Sequence, residues 1–322
     1  MQTTGISIPA QGTEGRQNIW PIITSLVLDA VSSRHTRRAY AQALEEFLIW
    51  FQDEPARTFT KATVQNYRAE LETKGLAPSS INVRLSAIRR LALEAADNGL
   101  LAPDLAAAIA RARGAKQSGV RIGHWLTREQ AEKLLTLPDV RTIKGMRDHA
   151  VLALLLGAGL RRSELAGLNC AHIQQRDGRW LIADLIGKHG RIRTVPLPPW
   201  TYRAIRDWTA AAGISEGALF RSLTRHGYVT SRRLSSQAVF TIVGTYAAQL
   251  GLAVRPHDLR RSFAKLAYLG QAPLEQIQFS LGHASVVTTE IYLGVKQDLQ
   301  DAPCDHLGLT SVNLGVKWTR CF

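Results

Sequence analysis

Four side chains that can handle a phosphate group stand within a short stretch near the carboxy terminus. His257 and Arg260 are three residues apart, and His283 and Tyr292 follow on later segments of helical pattern. An arginine can bind a phosphate through two parallel hydrogen bonds, a histidine can donate a third, and a tyrosine oxygen can attack phosphorus. The combination indicates phosphoryl transfer through a tyrosine.

Each of these side chains also has an ordinary structural interpretation. His257 and Arg260 share one face of a predicted helix, where they could bind one anion or simply face solvent. Pro256 fits the start of that helix, where backbone amides also favour anions. A single tyrosine at helical spacing, such as Tyr292, is commonly half-buried core. The functional interpretation therefore depends on the residues acting together.

Two cationic residues upstream extend the set. Arg161 follows an apolar helix at a tight turn after Gly159, a costly place for an unpaired charge, although a surface ion pair with Glu164 would also explain it. Lys188 lies at the tip of a predicted β-hairpin, where lysines are commonly solvated. From there a lysine could also deliver a proton to a leaving oxygen.

The elements that must position these residues begin with a helical domain over residues 18–112. Apolar residues recur there at three- and four-residue spacing, and the helices are predicted to begin at Ser33, at Thr60, at Ser79 or Ser80, and after Pro103. Residues 1–17 are polar and are expected to form a disordered leader. Residues 113–122 are rich in basic residues and read as an exposed linker along a phosphate backbone, or as a plain interdomain loop.

The second predicted domain spans residues 123–297 and is followed by a tail at 298–322. It contains the only convincing β region, a hairpin of residues 180–186 and 191–197, with a possible third strand at 170–174. Helices are predicted at 127–137, 145–167 with a turn at 157–159, 200–212, 235–250, 257–269, 273–281 and 286–294. The fold class is therefore mainly α with a small antiparallel β-sheet, a helical domain plus an α+β domain.

Composition adds the class of partner. The 322 residues hold 40 Lys and Arg against 26 Asp and Glu, a net charge of +14 spread over the chain. Such charge favours a polyanion such as DNA, although a basic soluble protein remains the alternative. Three cysteines without metal-ligand or disulfide spacing, and no signal or membrane-spanning segment, lead us to expect a cytoplasmic, nucleoid-associated protein with no membrane partner.

Together these residues resemble the active-site set of the tyrosine recombinases, the family of the phage integrases, the Xer chromosome-dimer recombinases and Cre. The matching text is Gly-Leu-Arg161-Arg-Ser-Glu-Leu, the Gly-Lys188 hairpin ending in Val-Pro-Leu, His257-Asp-Leu-Arg260-Arg-Ser-Phe, and Leu-Gly-His283 nine residues before Tyr292. The amino-terminal domain resembles the SAM-like core-binding module of that family, so the resemblance covers roughly residues 20–297.

The family pattern decides between two pairs of adjacent arginines. The Gly-Leu that precedes Arg161 selects it over Arg162, and the His-x-x-Arg spacing selects Arg260 over Arg261. The unselected neighbours are expected to point elsewhere and to contact backbone phosphates instead.

The resemblance implies cleavage and rejoining of DNA without a metal or other cofactor. Tyr292 would be the nucleophile that forms a 3′-phosphotyrosine, and Arg161 and Arg260 would neutralise the non-bridging oxygens. His257 and His283 would add hydrogen bonds, with His257 also a candidate base toward the tyrosine proton. Lys188 is the candidate general acid. Glu164 is expected to orient Arg161 and not to act in catalysis.

The resemblance also implies the partners: double-stranded recombination sites, and four protomers that exchange strands through a Holliday junction. In the family the segment after the nucleophile docks on a neighbouring protomer, which here would be residues 295–309. We expect no arm-binding domain ahead of residue 18, and hence a simple two-domain recombinase and not the larger phage-integrase architecture. The DNA sequence, the mobile element or locus, and any accessory factor or partner recombinase stay open. Two rival functions are a type IB topoisomerase and a non-catalytic DNA-binding regulator.

Overall fold

The structure is a computed structural model that describes residues 19–116, 124–187 and 190–294. The chain divides into two compact units, with the boundary between residues 120 and 121. The expected leader at 1–17, Lys188, the candidate docking segment at 295–309 and the tail lie outside the described residues, and the predicted linker is described only as far as residue 116.

The first unit contains five α-helices in its described part: α1 Ile19–Asp29, α2 Arg34–Gln52, α3 Lys61–Thr73, α4 Pro78–Asp97 and α5 Pro103–Ala110. Ser33 and Thr60 cap α2 and α3 as predicted, each accepting a hydrogen bond from the backbone three residues on. The third predicted helix begins at Pro78, one residue before Ser79, because the fixed φ of proline suits a first helical turn.

Aromatic rings form the centre of the first unit. Phe47 of α2 is fully buried, and its ring centroid lies 5.7 Å from that of Phe51, 5.8 Å from that of Phe59 and 5.2 Å from that of Tyr67. Tilted and edge-on ring pairs at these distances are favourable beyond the area they bury. Apolar side chains from all five helices form one continuous core.

The second unit has eight α-helices in its described part: α6 Arg128–Thr136, α7 Ile143–Gly157, α8 Arg162–Gly167, α9 Pro199–Ala211, α10 Ser236–Gln249, α11 Pro256–Leu269, α12 Leu274–Leu281 and α13 Val286–Leu293. Helix α7 is buried on nearly all sides and forms the centre of this unit. As predicted, Thr127 caps α6, here in a capping box with Gln130. Among the described residues, no helix is long and apolar enough to cross a membrane.

A three-stranded antiparallel sheet follows α8, with strands β1 Ile173–Arg176, β2 Arg179–Ile186 and β3 Ile192–Pro196 in that order. The third strand anticipated at 170–174 begins only at Ile173, because Cys170–His172 forms a short 3-10 turn. Between Ile182 and Leu185 the register of β2 against β3 shifts by one residue. The extra residue makes a β-bulge beside Asp184, whose φ is 49°. Leu185 is thereby buried, and Ile186 is exposed.

A second sheet, which the sequence analysis did not predict, consists of the antiparallel strands β4 Arg221–Leu223 and β5 Val229–Arg233. Both strands are short, neither has a fully buried residue, and they contain three arginines. They therefore lack the apolar alternation by which a strand is recognised in a sequence. The fold is otherwise as expected, mainly helical with a small antiparallel sheet.

Candidate active site

Arg161 projects from the turn that joins α7 to α8. Gly159 makes this turn with φ +60°, and a Cβ placed there would meet the Phe263 ring at 2.4 Å. Only glycine fits a position that combines a left-handed backbone with so close a neighbour. The Arg161 backbone N–H donates to Glu164 Oε2 at 2.8 Å, and its Nη1 donates to Glu164 Oε1 at 2.6 Å. One buried carboxylate thus holds both the backbone and the guanidinium of Arg161.

The same carboxylate contacts two more guanidiniums. Arg193 of β3 donates from Nη1 to Glu164 Oε1 at 3.0 Å and from Nη2 to Oε2 at 2.9 Å. Arg260 Nη1 lies 3.8 Å from Glu164 Oε2. We call Glu164, Arg161, Arg193 and Arg260 the Glu164 cluster. Burial would raise the pKa of Glu164, but the hydrogen bonds and charge of Arg193, with the hydrogen bonds from Arg161, outweigh it and hold that pKa below its usual range.

Arg260 is almost completely buried, with 1% of its surface exposed. Its Nη1 donates to the carbonyl of Gly159 at 2.6 Å, and its Nη2 donates to the carbonyl of Leu281. Burial, with the nearby Arg161 charge, lowers the pKa of Arg260 to about 10, so the guanidinium stays charged at neutral pH. The side chain therefore connects the turn before Arg161 to the loop that carries His283.

His283 stands in the loop after α12. The helix ends at Gly282, whose φ of 65° is the left-handed conformation of a C-terminal glycine. The Nδ1 atom of His283 lies 3.0 Å from the hydroxyl of Thr289, a fully buried residue of α13. Burial, together with the charges of Arg260, Arg161 and Arg193, lowers the pKa of His283 to about 4. The imidazole is therefore neutral at physiological pH.

Tyr292 of α13 lies between the two histidines. Its ring centroid is 5.7 Å from that of His257 and 5.2 Å from that of His283, both edge-on. Its hydroxyl is 3.5 Å from the carbonyl oxygen of His257. Burial raises the pKa of Tyr292 although Arg260 and Arg261 act in the opposite direction. Burial and the charges of Arg261 and Arg260 lower the pKa of His257, so that imidazole is neutral too.

Five of the six side chains that the sequence analysis singled out thus lie near one another in the second unit: Arg161, His257, Arg260, His283 and Tyr292. Lys188, the sixth, lies outside the described residues. In the part of the chain that is described, no group of three or more His, Cys, Asp or Glu side chains could hold a metal ion.

One expectation about the adjacent arginines was wrong. The guanidinium of Arg261 does not point away from the site but lies 5.1 Å from the Tyr292 ring centroid and 3.8 Å from an oxygen of Asp258. The reason is that the ring of Tyr292 comes to rest against α11 itself. Arg162, in contrast, lies over the ring of Phe240, 5.8 Å from its centroid.

Two further residues of the site were not recognised in the sequence, Arg193 and Thr289. Arg193 carried a usable signal, since it stands two residues before Val195 and must share the inward face of β3 with it. An arginine at a strand position that faces the interior needs a carboxylate as its partner. Thr289 carried no signal, because a threonine in a helix is ordinary.

Comparison with known proteins gives a consistent result. The model of the phage integrase family matches residues 124–298, and the model of the phage integrase N-terminal SAM-like domain matches residues 23–99. The tyrosine recombinase XerC of Pseudomonas entomophila is 32% identical over 267 residues, which are 81% of this chain and 85% of that protein.

Solved structures share the fold. XerH recombinase bound to a palindromic difH substrate has a TM-score of 0.65 at 18% identity and covers 90% of this chain and 88% of its own. A lambda integrase dimer bound to a COC′ core site has a TM-score of 0.66 at 18% identity, covering 88% and 98%. With a family model that spans more than half of the residues and the XerC relative, the chain belongs to the phage integrase family and is a tyrosine-type site-specific recombinase.

Proposed function

We propose that this recombinase cuts and rejoins double-stranded DNA at specific sites through a 3′-phosphotyrosine at Tyr292. The observation that carries the proposal is the placement of the Tyr292 phenol between the imidazoles of His257 and His283, next to guanidiniums that share one carboxylate. The DNA complexes of XerH and lambda integrase, which have the same fold, support DNA as the substrate.

The charge of the Glu164 cluster suits a phosphate. Its three guanidiniums face one carboxylate, which leaves an excess of two positive charges. An excess of this kind, largely withdrawn from solvent, is costly unless an anion joins it. In the proposed step Arg161, whose side chain is 30% exposed, and Arg260 neutralise the non-bridging oxygens of the scissile phosphate as negative charge develops on them.

The histidines act as neutral imidazoles in this proposal. In the proposed tautomer the Thr289 hydroxyl donates to Nδ1 of His283, and Nε2 carries the ring proton and donates it in a hydrogen bond to the phosphate. His257, whose pKa is also lowered, is in the basic form and is the candidate acceptor of the Tyr292 proton.

The proposed transfer balances without an outside reagent. The Tyr292 oxygen forms a bond to phosphorus as the bond from phosphorus to the 5′-oxygen breaks, and the proton lost by the phenol goes to His257. The 5′-oxygen receives a proton, for which Lys188 is the candidate donor. One phosphoester replaces another, so the 5′-hydroxyl of a partner strand can reverse the reaction and seal the new junction.

Complete strand exchange needs more than one protomer. We propose four protomers on two DNA sites, a Holliday-junction intermediate, and docking of residues 295–309 on a neighbour. The dimer of lambda integrase on a core site and the palindromic substrate of XerH support paired protomers. We place this reaction on DNA in the nucleoid.

The test begins by selecting a bound duplex from a randomised library and then nicking it beside each phosphate in turn. A covalent adduct that resists denaturation is expected at one position with the wild type and with the control Tyr268→Phe, a phenol on α11. No adduct is expected with Tyr292→Phe. Absence of adduct with the wild type at every position would leave a non-catalytic DNA-binding regulator. Relaxation of supercoiled DNA without joined products or Holliday junctions would favour a type IB topoisomerase.

A further inference from the structure

The side chain of Arg193 is more deeply buried than that of Arg161 and less deeply than that of Arg260. Its side chain is 9% exposed, and all three of its donor nitrogens are engaged by the protein. Nη1 and Nη2 form a two-pronged pair with the Glu164 carboxylate, and Nε donates to the carbonyl of Ser280 at 2.9 Å. Three of its five N–H donors are thus used within the protein, and because the side chain is also nearly buried, we assign Arg193 no direct contact with the substrate.

Two arginines of the Glu164 cluster bind consecutive carbonyls at the end of α12. Arg193 binds Ser280 and Arg260 binds Leu281, directly before the loop of His283. The last carbonyls of a helix have no partner within it, and positive charge is favourable there. These two hydrogen bonds therefore fix the point from which the His283 loop departs.

Two glycines leave room for the Arg193 side chain. A Cβ on Gly187 would lie 2.9 Å from Nη1 of Arg193, and one on Gly282 would lie 3.0 Å from its Cδ. The guanidinium thus sits where three segments meet: the strand end before Gly187, the α8 segment of Glu164, and the end of α12. Because the Arg193 guanidinium contacts all three segments, it restricts the position of each.

We propose that Arg193 is a positioning residue for strand cleavage, whose guanidinium fork on Glu164 aligns Arg161 and Arg260 while its Nε bond to Ser280 places His283. The inference rests on the proposed function of this site. Arg193 acts at one remove from the phosphate, through three side chains that would contact it. Its positive charge also contributes to the low pKa of His283, which gives a readout that needs no DNA.

The experiment compares Arg193→Gln, Arg193→Lys and the control Arg206→Gln, an exposed arginine of α9 paired with Asp207. Cleavage of the selected nicked duplex is followed at saturating DNA, below the melting temperature of each variant. Since misplacement by about 1 Å can slow a reaction about 100-fold, we expect a loss of about that size for Arg193→Gln with little change in the Kd for the duplex. Arg193→Lys, which keeps the charge without the fork, should be at least about tenfold slow.

The second measurement is the pKa of His283, followed by NMR in the DNA-free protein. It should rise in Arg193→Gln, because a nearby cation is lost and the loop is released, and stay unchanged in Arg206→Gln. Because Arg193→Lys keeps the cation, a rise of the His283 pKa in that variant as well would report release of the loop and not the lost charge alone.

Each failure has its own signature. A wild type that makes no Tyr292-dependent adduct defeats the proposed function, and the His283 pKa then decides the inference alone, which an unchanged value overturns. With an active wild type, cleavage by Arg193→Gln at the wild-type rate overturns the inference. If Arg193→Gln does not fold, cleavage by Arg193→Lys at the wild-type rate overturns the inference.

Discussion

The two units of this protein differ in what they bury. The core of the amino-terminal unit is apolar, with a cluster of aromatic rings around Phe47. Every buried polar or charged residue that the structure describes lies in the carboxy-terminal unit: Arg147, Asp148, Glu164, Thr201, Arg260, Ser262 and Thr289. Apolar packing suffices to fold a domain, and burying charge is costly. Because, among the described residues, only the carboxy-terminal unit buries charge, that unit is where a chemical role is expected.

Buried charge alone does not identify the site, because the second unit contains two such groups. In the Asp148 cluster, the buried Asp148 accepts from Lys144 at 2.8 Å, from Arg147 at 2.8 Å and from Tyr246 at 3.1 Å. Two cations and one carboxylate leave a single excess charge there, and the Lys144 side chain is 60% exposed to water. The Glu164 cluster keeps an excess of two charges. If the proposed function is correct, the size of that excess, more than burial itself, distinguishes the phosphate site from a structural ion pair.

The largest expected effect separates these two clusters. Arg260→Ala should slow strand cleavage by about 10²- to 10³-fold, because it removes a preorganised donor to the developing charge. Arg147→Ala should lower the free energy of unfolding by about 3–5 kcal/mol, since Asp148 is left buried with a lost partner, and keep the cleavage rate per folded molecule. Nicked-duplex cleavage and urea denaturation measure both. Equal losses of cleavage in the two variants would erase the distinction.

The next prediction addresses the apolar unit. Phe47→Ala should destabilise the amino-terminal unit by about 3–5 kcal/mol, because it leaves a cavity among the rings of Trp50, Phe51, Phe59 and Tyr67. Hydrogen exchange should show loss of protection in α2, α3 and α4, with α7 and α11 keeping theirs. Ile49→Ala is the matched control, as Ile49 is 67% exposed on the same helix, and its effect should stay within about 0.5 kcal/mol. Loss of protection in α7 of the Phe47 variant would contradict independent cores.

A smaller effect is expected at the turn before Arg161. Gly159→Ala adds a clash with the Phe263 ring, about 1–3 kcal/mol, to left-handed backbone strain of about 1–2 kcal/mol. The control Gly178→Ala has φ +73° with no atom within 4 Å of the new Cβ, so it should show the strain alone. Urea denaturation measures the difference, and the added substitution Phe263→Ala should shrink it. Two glycine variants of equal stability would mean that Phe263 yields without cost.

The smallest effect is a pH dependence. The folded-state pKa of His283, about 4, lies below its ordinary value of 6.5, so the neutral ring stabilises the folded protein above pH 6.5. That contribution is lost as the pH falls from about 6.5 toward 4, because the unfolded chain then binds the proton first. Chemical denaturation of His283→Asn across this window should show a shallower fall than the wild type. Parallel curves would indicate that the imidazole titrates normally.

Much of the architecture could be predicted because it depends on residues that are close together in the chain. The caps at Ser33, Thr60 and Thr127 and the spacing of apolar residues are short-range signals, and they gave helices close to those observed. The strands β4 and β5 could not be found in this way, since they bury no apolar face. The family and the fold class were predicted correctly from motifs whose order and spacing are visible along the chain.

The contacts that assemble the site join residues that are far apart in the chain, so they could not be predicted from the sequence alone. The bond from Arg193 to Ser280 joins residues 87 positions apart, and the one from Arg260 to Gly159 joins residues 101 apart. The sequence predicted Glu164 as an ion-pair partner of Arg161. It contained no sign that the same carboxylate also contacts the guanidiniums of Arg193 and Arg260. The misjudged direction of Arg261 has the same origin, since the side chain lies against a ring from α13.

The bulge in β2 determines which side chains of the hairpin face the core and which face outward. With the extra residue beside Asp184, Leu185 is buried and Gly187 comes up against Nη1 of Arg193. In an unbulged strand the alternation of faces would instead bring Ile186, now exposed, toward that guanidinium. A one-residue deletion at the bulge would have the opposite outcome, because it would remove only the extra residue: Leu185 would still pair with Arg193 and Ile186 with Ile192, so each side chain would keep its present face and the hairpin should tolerate the loss.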